Sequence, residues 1–399
     1  MVPEGWVKAK LGKLVSISSG IAPSALSLSE NGKYPYVKVE DMNNCSKYQE
    51  SSRTYSDDEV KYIPKGSVIF PKRGAAIMNN KVRISAVDLY LDSNMMSLYP
   101  GDEIDTEFLY YSLIREELHR IADTSTIPQI NNKHITPYTV MLPSLAEQKK
   151  IAQILSTWDQ AITTTEQLLA NSRQQKKALM QQLLTGKQRL LDKDGERFSG
   201  EWKKVKLGSV ANMNSGGTPK STIGEYYGGD IPWVSISDMT KQGKWIASTE
   251  KYLTTHGLEN STARIYPKNS VLYAMYASIG ECSIAQVPLS SSQAILGIRP
   301  KAELDFEFLY FFLTSLKERI KLQGQQGTQS NLNARMVKDF LLYLPCIEEQ
   351  QKIAAVLSTA DREIDILQQK LDALRQEKKA LMQQLLTGKR RVITEQPEA

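Results

Sequence analysis

The feature that most constrains this chain is an internal repeat. The segment KKALMQQLLTGK occupies residues 176–187 and recurs unchanged at 378–389. Around it, residues 142–190 and 344–392 align without a gap, 202 positions apart, with 29 of 49 residues identical. Identity at this level is not produced by chance, and a repeat has to be recognised before elements are assigned. The chain is therefore predicted to contain one structural unit twice.

The segments that precede these two regions also match each other, but more weakly. WVKAKLG at 6–12 corresponds to WKKVKLG at 202–208, and EFLY occurs at both 107–110 and 307–310. The order is therefore globular part, helix, globular part, helix, with nearly identical helices and diverged globular parts. Shared helices indicate one shared task, and diverged globular parts indicate two versions of a second task. Two globular domains are predicted at 1–141 and 191–343. Two helical segments follow them at 142–190 and 344–392, and a polar tail occupies 393–399.

The two repeated segments are predicted to be long helices. Pro143 and Pro345 stand where a helix can start, and Gly186 and Gly388 stand where a left-handed cap can end it. Apolar residues recur with a period close to seven, which is typical of a coiled coil. The predicted seam contains Leu155, Trp158, Ile162, Leu169, Leu179 and Leu183 in the first helix and Leu357, Ile364, Leu367, Leu371, Leu374, Leu381 and Leu385 in the second. Thr165, Ser172, Lys176 and Lys378 interrupt this pattern.

Connectivity predicts how the two helices pair. The first helix ends where the second globular part begins, and the second helix begins where that part ends. Paired helices would therefore be antiparallel, in a pseudo-two-fold, circular arrangement. At about 1.5 Å per residue, each helix would form a spacer on the order of 50–55 Å long.

Each globular part reads as an α+β domain with short strands and one short helix, at 106–118 and 306–320. Several loops combine Lys, Arg, Asn and Gln with small residues, and these side chains contact bases and phosphates in nucleic-acid complexes. The alternative is that these loops are ordinary turns rich in Gly, Asn and Pro. The candidate DNA contacts are Lys72, Arg73, Gln129, Asn131 and Asn132 in the first part and Thr218, Lys220, Tyr276, Gln329, Asn331 and Asn333 in the second.

Composition and motifs predict no catalytic residue and no metal site. The net charge of +6 is compatible with a nucleic-acid partner. The three cysteines and three histidines show no metal-ligand or disulfide spacing. Neither a P-loop nor a GxGxxG motif occurs. Residues 57–61 contain the Glu-x-Lys triplet of some nucleases, but a solvated turn is the favoured reading. The absence of a bilayer-length apolar run or a signal peptide predicts a cytoplasmic protein.

The whole chain resembles the specificity (S) subunit of type I restriction–modification systems. The resemblance rests on the WVKAKLG and WKKVKLG starts, IPWVSISDM at 231–239, the segments LPSLAEQKKIAQILS and LPCIEEQQKIAAVLS, and the repeated KKALMQQLLTGK. It covers essentially the entire chain, in the order expected for that family, and it implies a bacterial or archaeal host.

The resemblance implies a non-catalytic subunit with two target-recognition domains, each of which reads one half of a bipartite, asymmetric DNA target. Conserved helices would hold the domains apart and dock two modification (methyltransferase) subunits, with restriction subunits joining the complex. S-adenosylmethionine, ATP and Mg would be held by those partners. Identity of the repeated segment is what two copies of one partner would require, so Lys176, Lys177, Gln181, Lys378, Lys379 and Gln383 are predicted to bind it. The alternative is that this segment only caps the coiled coil.

Two other classes of function stay open at this point. One is a non-enzymatic coiled-coil adaptor with two ligand-binding heads for a partner other than DNA. The other is an enzyme in its own right. Preference for a bipartite duplex over random DNA separates the first from a DNA-recognition subunit, and activity of the purified chain alone would support the second.

Overall fold

The computed structural model describes residues 2–125, 127–325 and 332–393, and the side chains of these except 321–325. The chain forms two compact units, 1–166 with 369–399, and 167–368. We call these unit 1 and unit 2. Each unit contains a globular head and parts of both long helices. The units therefore differ from the predicted division into separate heads and helices, because apolar faces of the helices complete the cores of the heads.

Unit 1 begins with a head built from short strands and helices. The strands are β1 (Val7–Lys10), β2 (Val15–Ser19), β3 (Leu28–Ser29), β4 (Tyr34–Val37), β5 (Tyr48–Gln49), β6 (Tyr55–Ser56), β7 (Val68–Pro71), β8 (Arg83–Ser85), β9 (Tyr90–Leu91), β10 (Met95–Pro100) and β11 (Thr139–Leu142). The helices are α1 (Leu11–Leu14), α2 (Thr106–Glu116), α3 (Leu118–Ile121), α4 (Asn132–Ile135) and the long α5 (Leu145–Leu183), which continues into unit 2.

Unit 2 repeats this plan. Its strands are β12 (Lys203–Lys206), β13 (Ala211–Ser215), β14 (Tyr227–Val234), β15 (Trp245–Ile246), β16 (Lys251–Leu253), β17 (Val271–Ala274), β18 (Cys282–Ala285), β19 (Ser290–Ser291), β20 (Ile295–Pro300) and β21 (Leu341–Leu344). Its helices are α6 (Leu207–Val210), α7 (Ile236–Gln242), α8 (Thr255–Glu259), α9 (Phe306–Gln325), α10 (Ala334–Lys338) and the long α11 (Ile347–Leu385), which continues into unit 1.

The main sheets of the two heads have the same topology. Within the described residues, the strand order is β2-β10-β7-β8-β5 in unit 1 and β13-β20-β17-β18-β15 in unit 2. A two-stranded sheet, β1-β11 or β12-β21, leads into each long helix. A smaller sheet completes each head, β3-β6-β4-β9 or β16-β14-β19. The structure therefore confirms the mixed α and β fold class and its internal repeat.

Strand register shows which residues of the two heads are equivalent. Ser16 on β2 pairs with Tyr99 on β10, and Asn212 on β13 pairs with Arg299 on β20. These pairs occupy the same place, as do their neighbours along each strand. Equivalent positions can therefore be compared directly, even where the heads share little sequence.

Both long helices contain 39 residues, and each has the predicted cap. Gly186 has a φ of +70° and Gly388 a φ of +69°, in the left-handed region that glycine adopts without strain. Their N–H groups donate to the carbonyl oxygens of Leu183 and Leu385, at 3.3 and 3.2 Å. The predicted ends of the helices are thus confirmed.

The helix segments within each unit pair in an antiparallel direction. In unit 1, Arg375 bonds Glu166 at 2.6 Å and Lys378 contacts Asp159. In unit 2, Ser172 donates to Glu363 at 3.2 Å, and Lys176 forms an ion pair with Asp361. The direction predicted from connectivity is therefore present within each unit, while the pseudo-two-fold arrangement of the whole stays a prediction.

The residues placed on the seam are buried or half-buried. Leu155, Leu169, Leu183, Leu357, Leu371 and Leu385 are buried, as are Thr165 and Ser172, which interrupt the apolar pattern. The remaining seam residues are half-buried: Trp158, Ile162, Leu179, Ile364, Leu367, Leu374 and Leu381. Of the helices in the described ranges, none is both long and apolar enough to cross a membrane.

Candidate nucleic-acid interface and helix junctions

Three of the predicted contact residues of unit 1 meet at one edge of the head. β7 ends at Pro71, and the chain continues through Lys72 and Arg73 beside the loop that contains Gln129. Arg73 and Gln129 form a backbone bridge, and the N–H of Ile130 donates to the carbonyl oxygen of Lys72 at 2.9 Å. Arg73 is exposed, whereas partial burial and the neighbouring Arg73 charge lower the pKa of Lys72. Hence the edge presents a cationic and an amide side chain on an ordered backbone.

Asn131 has a structural task that the sequence did not reveal. It is the N-cap residue of α4, and its N–H donates to Nδ1 of His134 at 3.1 Å. Asn132, the first residue of α4, is exposed. Asn131 therefore occupies the N-cap position of α4, while the exposed Asn132 remains available for contact.

In unit 2, the loop after β13 is held against the head by two glycines. A Cβ atom at Gly216 would lie 2.2 Å from the carbonyl oxygen of Ser291, and one at Gly217 would lie 2.3 Å from the backbone nitrogen of Ala263. No side chain fits at such distances, so the loop can approach this closely only as glycine. The indole N–H of Trp233 donates to the Gly217 carbonyl oxygen at 2.9 Å. The exposed Thr218 and Lys220 are thereby presented on a fixed backbone.

A cavity of about 530 Å³ lies beside this loop. Its lining combines aromatic side chains with small and charged residues: Thr218, Ser221, Tyr227, Gly228, Gly229, Trp233, Glu250, Lys251 and Tyr252. Thr218 therefore lines a concave surface, whereas Lys220 does not.

Tyr276 lies at the place in unit 2 that Arg73 occupies in unit 1. Ile69 and Leu272 pair with equivalent positions of β10 and β20, which makes Arg73 and Tyr276 equivalent. The following contacts match as well, because the N–H of Leu332 donates to the Met275 carbonyl oxygen at 3.1 Å, as Ile130 does to Lys72. Tyr276 is 39% exposed. One backbone frame thus carries an arginine in one head and a tyrosine in the other.

The remaining candidates of unit 2 do not all lie at this edge as free side chains. Asn333 is the N-cap of α10, and its side-chain oxygen accepts the N–H of Met336 at 3.0 Å. Its side chain is thus engaged in capping. Gln329 and Asn331 lie outside the described residues.

A polar junction joins the head of unit 1 to its long helices. The ammonium group of Lys47 is 3.1 Å from Glu107, 2.9 Å from the Tyr111 hydroxyl and 3.4 Å from Ser156 on α5. Its Nζ also lies over the rings of Tyr48, Tyr110 and Tyr111, 4.7–5.5 Å from their centroids. The Lys47 side chain is only 9% exposed. Carboxylate, hydroxyls and aromatic faces therefore compensate a nearly buried charge.

Unit 2 contains the same junction with different bonds. Lys244 is 2.7 Å from Glu307 and 2.8 Å from Ser358 on α11, and its Nζ lies 4.5 Å from the centroid of the Phe311 ring. Ser358 in turn donates to Glu307 at 2.7 Å. In both units, one lysine from the head connects the head's own helix to a long helix.

The Glu-Gln pair near the start of each long helix forms a second attachment. The buried Gln148 accepts the N–H of Asp105 at 2.8 Å and donates to the carbonyl oxygens of Glu103 and Pro143. Gln350 repeats these bonds with Asp305, Glu303 and Pro345. Each glutamine thus satisfies backbone groups of the head at the point where the long helix begins.

The glutamate of each pair binds an arginine and a tryptophan. Glu147 accepts two bonds from Arg391, at 2.7 and 2.9 Å, and one from the Trp6 indole N–H at 3.1 Å. Glu349 does the same with Arg189, at 2.6 and 2.8 Å, and with Trp202 at 3.2 Å. Bidentate pairing makes these strong, directional contacts, and it raises the pKa of both arginines.

The structure corrects part of the reading of the repeated KKALMQQLLTGK. Lys176 forms an ion pair with Asp361, and Lys378 forms one with Asp159, so both lysines belong to the junctions rather than to a free surface. Leu183 and Leu184 enter the core of unit 2, and Leu385 and Leu386 enter that of unit 1. The remaining partner candidates are exposed: Lys177, Gln181, Lys379 and Gln383.

Sequence reasoning missed the junction lysines. A signal was present, because each lysine precedes an aromatic residue, as Lys47-Tyr48 and Lys244-Trp245, and each contacts the glutamate of a repeated EFLY segment. Within the described ranges, no group of three or more His, Cys, Asp or Glu residues is placed to hold a metal ion.

Comparison with known proteins agrees with this architecture. The family model described as the type I restriction modification DNA specificity domain matches residues 3–171 and 199–376. The putative type I restriction enzyme MjaX specificity subunit of Methanocaldococcus jannaschii is 25% identical over 98% of this chain and 95% of that relative. The MjaIX specificity subunit of the same organism is 33% identical, over 40% of this chain and 38% of that relative.

Solved structures show a similar fold over nearly the whole chain. The S subunit of a type I restriction–modification system from M. genitalium is 17% identical, with a TM-score of 0.59 over 96% of this chain and 99% of that one. A chain from a study of complex assembly and conformational transition of the type I system is 16% identical, with a TM-score of 0.62 over 97% and 98%. The chain belongs to the type I restriction–modification DNA specificity family.

Proposed function

We propose that this chain is the DNA-recognition subunit of a type I restriction–modification complex, in which each head reads one half of a bipartite, asymmetric target. The observation that carries this proposal is the equivalence of Arg73 and Tyr276. The two heads present the same loop edge on the same backbone, but with side chains of different chemistry. Arginine favours guanine in the major groove, whereas tyrosine offers a ring and one hydroxyl. Such heads are suited to two different half-sites.

In this proposal the long helices set the distance between half-sites and dock two methyltransferase subunits. The exposed Lys177, Gln181, Lys379 and Gln383 are candidate contacts, because the repeat presents them identically. The partners would supply S-adenosylmethionine for adenine methylation, and restriction subunits would supply ATP- and Mg-dependent cleavage. The chain would act in the cytoplasm as a recognition component without chemistry of its own.

The experiment is methylome sequencing of cells that express the chain with its methyltransferase. The expected result is one bipartite adenine motif with a fixed spacer. Arg73→Ala should relax or change one half-site only, and Tyr276→Ala the other only. Loss of sequence preference at both half-sites from either substitution would contradict independent heads. Absence of any bipartite motif would favour the adaptor alternative.

A second experiment tests the spacer role. Insertion of one heptad at matched positions of α5 and α11 adds about 10 Å to each helix. At about 3.4 Å per base pair, the preferred spacer should lengthen by about three base pairs. Insertion of a heptad in one helix only is the control, since it breaks the pairing and should abolish binding. An unchanged spacer in the doubly lengthened protein would show that the helices do not set the distance.

A further inference from the structure

Unit 2 contains a cationic cleft on the exposed side of its main sheet. The cleft has a volume of about 510 Å³ and lies along β13 and the end of β20. Arg264 from the loop before β17, Arg299 from β20 and Lys338 from α10 line it, and its lining includes no acidic residue. The three cations therefore converge on one concave surface from three different elements.

These cations are not neutralised by neighbours. All three side chains are exposed, and none forms an ion pair with another residue in the described part of the chain. The nearest acid in sequence, Asp339, is bound by Lys206 at 2.8 Å. Asn212 and Asn214 add amide groups to the same surface. The cleft thus offers charge and hydrogen-bond donors to an anion.

A second cleft of about 310 Å³ continues from the first and shares Arg299 with it. Lys268 and Lys301 line this second cleft. Its acid, Asp305, accepts the N–H groups of Glu307 and Phe308 at 2.9 Å, as the cap of α9. Five cations therefore line two clefts that share Arg299, which suits a chain of phosphates better than a single small anion.

The equivalent surface of unit 1 carries only part of this charge. The strand register places Tyr99 where unit 2 has Arg299. Gly12 of α1 lies against Thr136 as Gly208 of α6 lies against Lys338, so Thr136 stands in place of Lys338. Gly101 stands in place of Lys301, whereas Lys61 and Lys65, in place of Arg264 and Lys268, keep a cation. A docking site for two copies of one methyltransferase should occur in both repeats, as the identical helix ends do. The asymmetry therefore favours a ligand that differs between the two heads.

We infer that this cleft binds the phosphate backbone of DNA beside the half-site read by unit 2, and that unit 1 has no counterpart of equal charge. The inference rests on the proposed function and adds a division of labour to it. Phosphate contacts contribute affinity without sequence preference. For duplex DNA, each phosphate that the protein neutralises steepens the slope of log K against log salt by about 0.9. Unit 2 then supplies more of the salt-dependent affinity than unit 1.

The test uses the chain assembled with its methyltransferase, a fluorescent duplex that contains the target and a scrambled duplex. The triple variant Arg264→Ala, Arg299→Ala, Lys338→Ala should reduce the salt slope by about 2–3 and weaken both duplexes by a similar factor. The matched control removes three exposed lysines of unit 1, Lys8→Ala, Lys10→Ala and Lys13→Ala, and should leave the slope nearly unchanged. A second variant grafts the charge, Tyr99→Arg with Thr136→Lys, and should steepen the slope.

The outcomes separate the inference from the function on which it rests. An unchanged slope in the triple variant, with target preference intact, overturns the phosphate cleft and leaves the proposed function standing. Weaker capture of the methyltransferase at unchanged DNA affinity also overturns it, in favour of an acidic protein surface. An equal reduction of the salt slope in the lysine control would show a general charge effect and would contradict the inference. If the unaltered complex prefers no bipartite duplex, the proposed function itself fails.

Discussion

The junctions of the two units hold the same charge in the same place through different bonds. In unit 1 the hydroxyl of Tyr111 stands between the Lys47 ammonium group and Asp159, at 2.9 and 2.5 Å. In unit 2 the equivalent residue is Phe311, and Lys244 reaches Glu307 and Ser358 directly at 2.7 and 2.8 Å. The repeat has therefore preserved the ion pair and its aromatic surroundings rather than each hydrogen bond. Where a head joins a helix, geometry is retained, whereas the loop edges and the cationic cleft have diverged.

The largest expected effect comes from removal of a junction lysine. Lys47→Met leaves Glu107 and the polar atoms around it without their cation, and loss of one partner of a nearly buried pair costs about 3–5 kcal/mol. Lys244→Met should cost a similar amount in unit 2. Hydrogen exchange, measured peptide by peptide, should show the loss of protection in the altered unit.

The matched control for these substitutions is Lys33→Met. Lys33 lies 3.7 Å from Glu59, but both side chains are largely exposed, so its loss should leave the stability of unit 1 nearly unchanged. Equal effects of Lys33→Met and Lys47→Met would contradict the importance assigned to burial at the junction.

A smaller effect is expected where the two sheets are packed differently. A Cβ atom at Gly297 would lie 2.1 Å from the ring of Tyr266, whereas unit 1 has Ser97 and Ile63 at these positions. Gly297→Ala should therefore destabilise unit 2 by about 1–3 kcal/mol through overpacking. Addition of Tyr266→Ile, which reproduces the pairing in unit 1, should restore much of that loss in a urea titration. Ser97→Ala should be nearly neutral, and the absence of rescue would disprove the equivalence.

Exchange of the junction aromatics tests how much the extra hydroxyl contributes. Tyr111→Phe removes the hydroxyl that contacts both Lys47 and Asp159, and should cost about 1–2 kcal/mol because polar partners remain part-buried. Asp159 keeps its contact with Lys378, which limits the loss. The reverse change, Phe311→Tyr, should alter unit 2 by less than about 1 kcal/mol. A larger cost for Phe311→Tyr than for Tyr111→Phe would reverse the comparison.

The reactivity of the three cysteines compares the packing of the two units without any substitution. Cys346 is exposed, Cys45 is half-buried and Cys282 is buried. Burial raises the pKa of the Cys45 thiol and that of Cys282, so at neutral pH their reactive thiolate fractions are small and grow only as the pH rises. Alkylation followed by mass spectrometry should therefore modify Cys346 first, then Cys45, and Cys282 only after unfolding. Early modification of Cys282 would show that the core of unit 2 opens readily.

The sequence was sufficient for the features that depend on local pattern or on the repeat. Pro143 and Gly186 mark one helix, and a seven-residue period marks its buried face. Arg73 and Tyr276, which were both predicted as DNA contacts, also occupy equivalent positions of the two heads. The junctions could not be derived in this way, because Lys47 meets its partners 64 and 109 residues further along the chain. The ion pair of Lys176, which was predicted to bind a partner subunit, could not be derived for the same reason, since Asp361 is on the other long helix.

The contact between Arg391 and Glu147 has a consequence for the order in which the molecule is completed during synthesis. Every segment of unit 2 lies between residues 167 and 368, so that unit is fully translated while part of unit 1 is still unmade. Unit 1 needs Leu385 and Leu386 for its core and Arg391 for the buried carboxylate of Glu147. Until the ribosome has released this segment, Glu147 lacks its arginine and the core of unit 1 lacks Leu385 and Leu386. The head that is translated first is thus the one that finishes folding last, and it is the one exposed longest to chaperones and proteases.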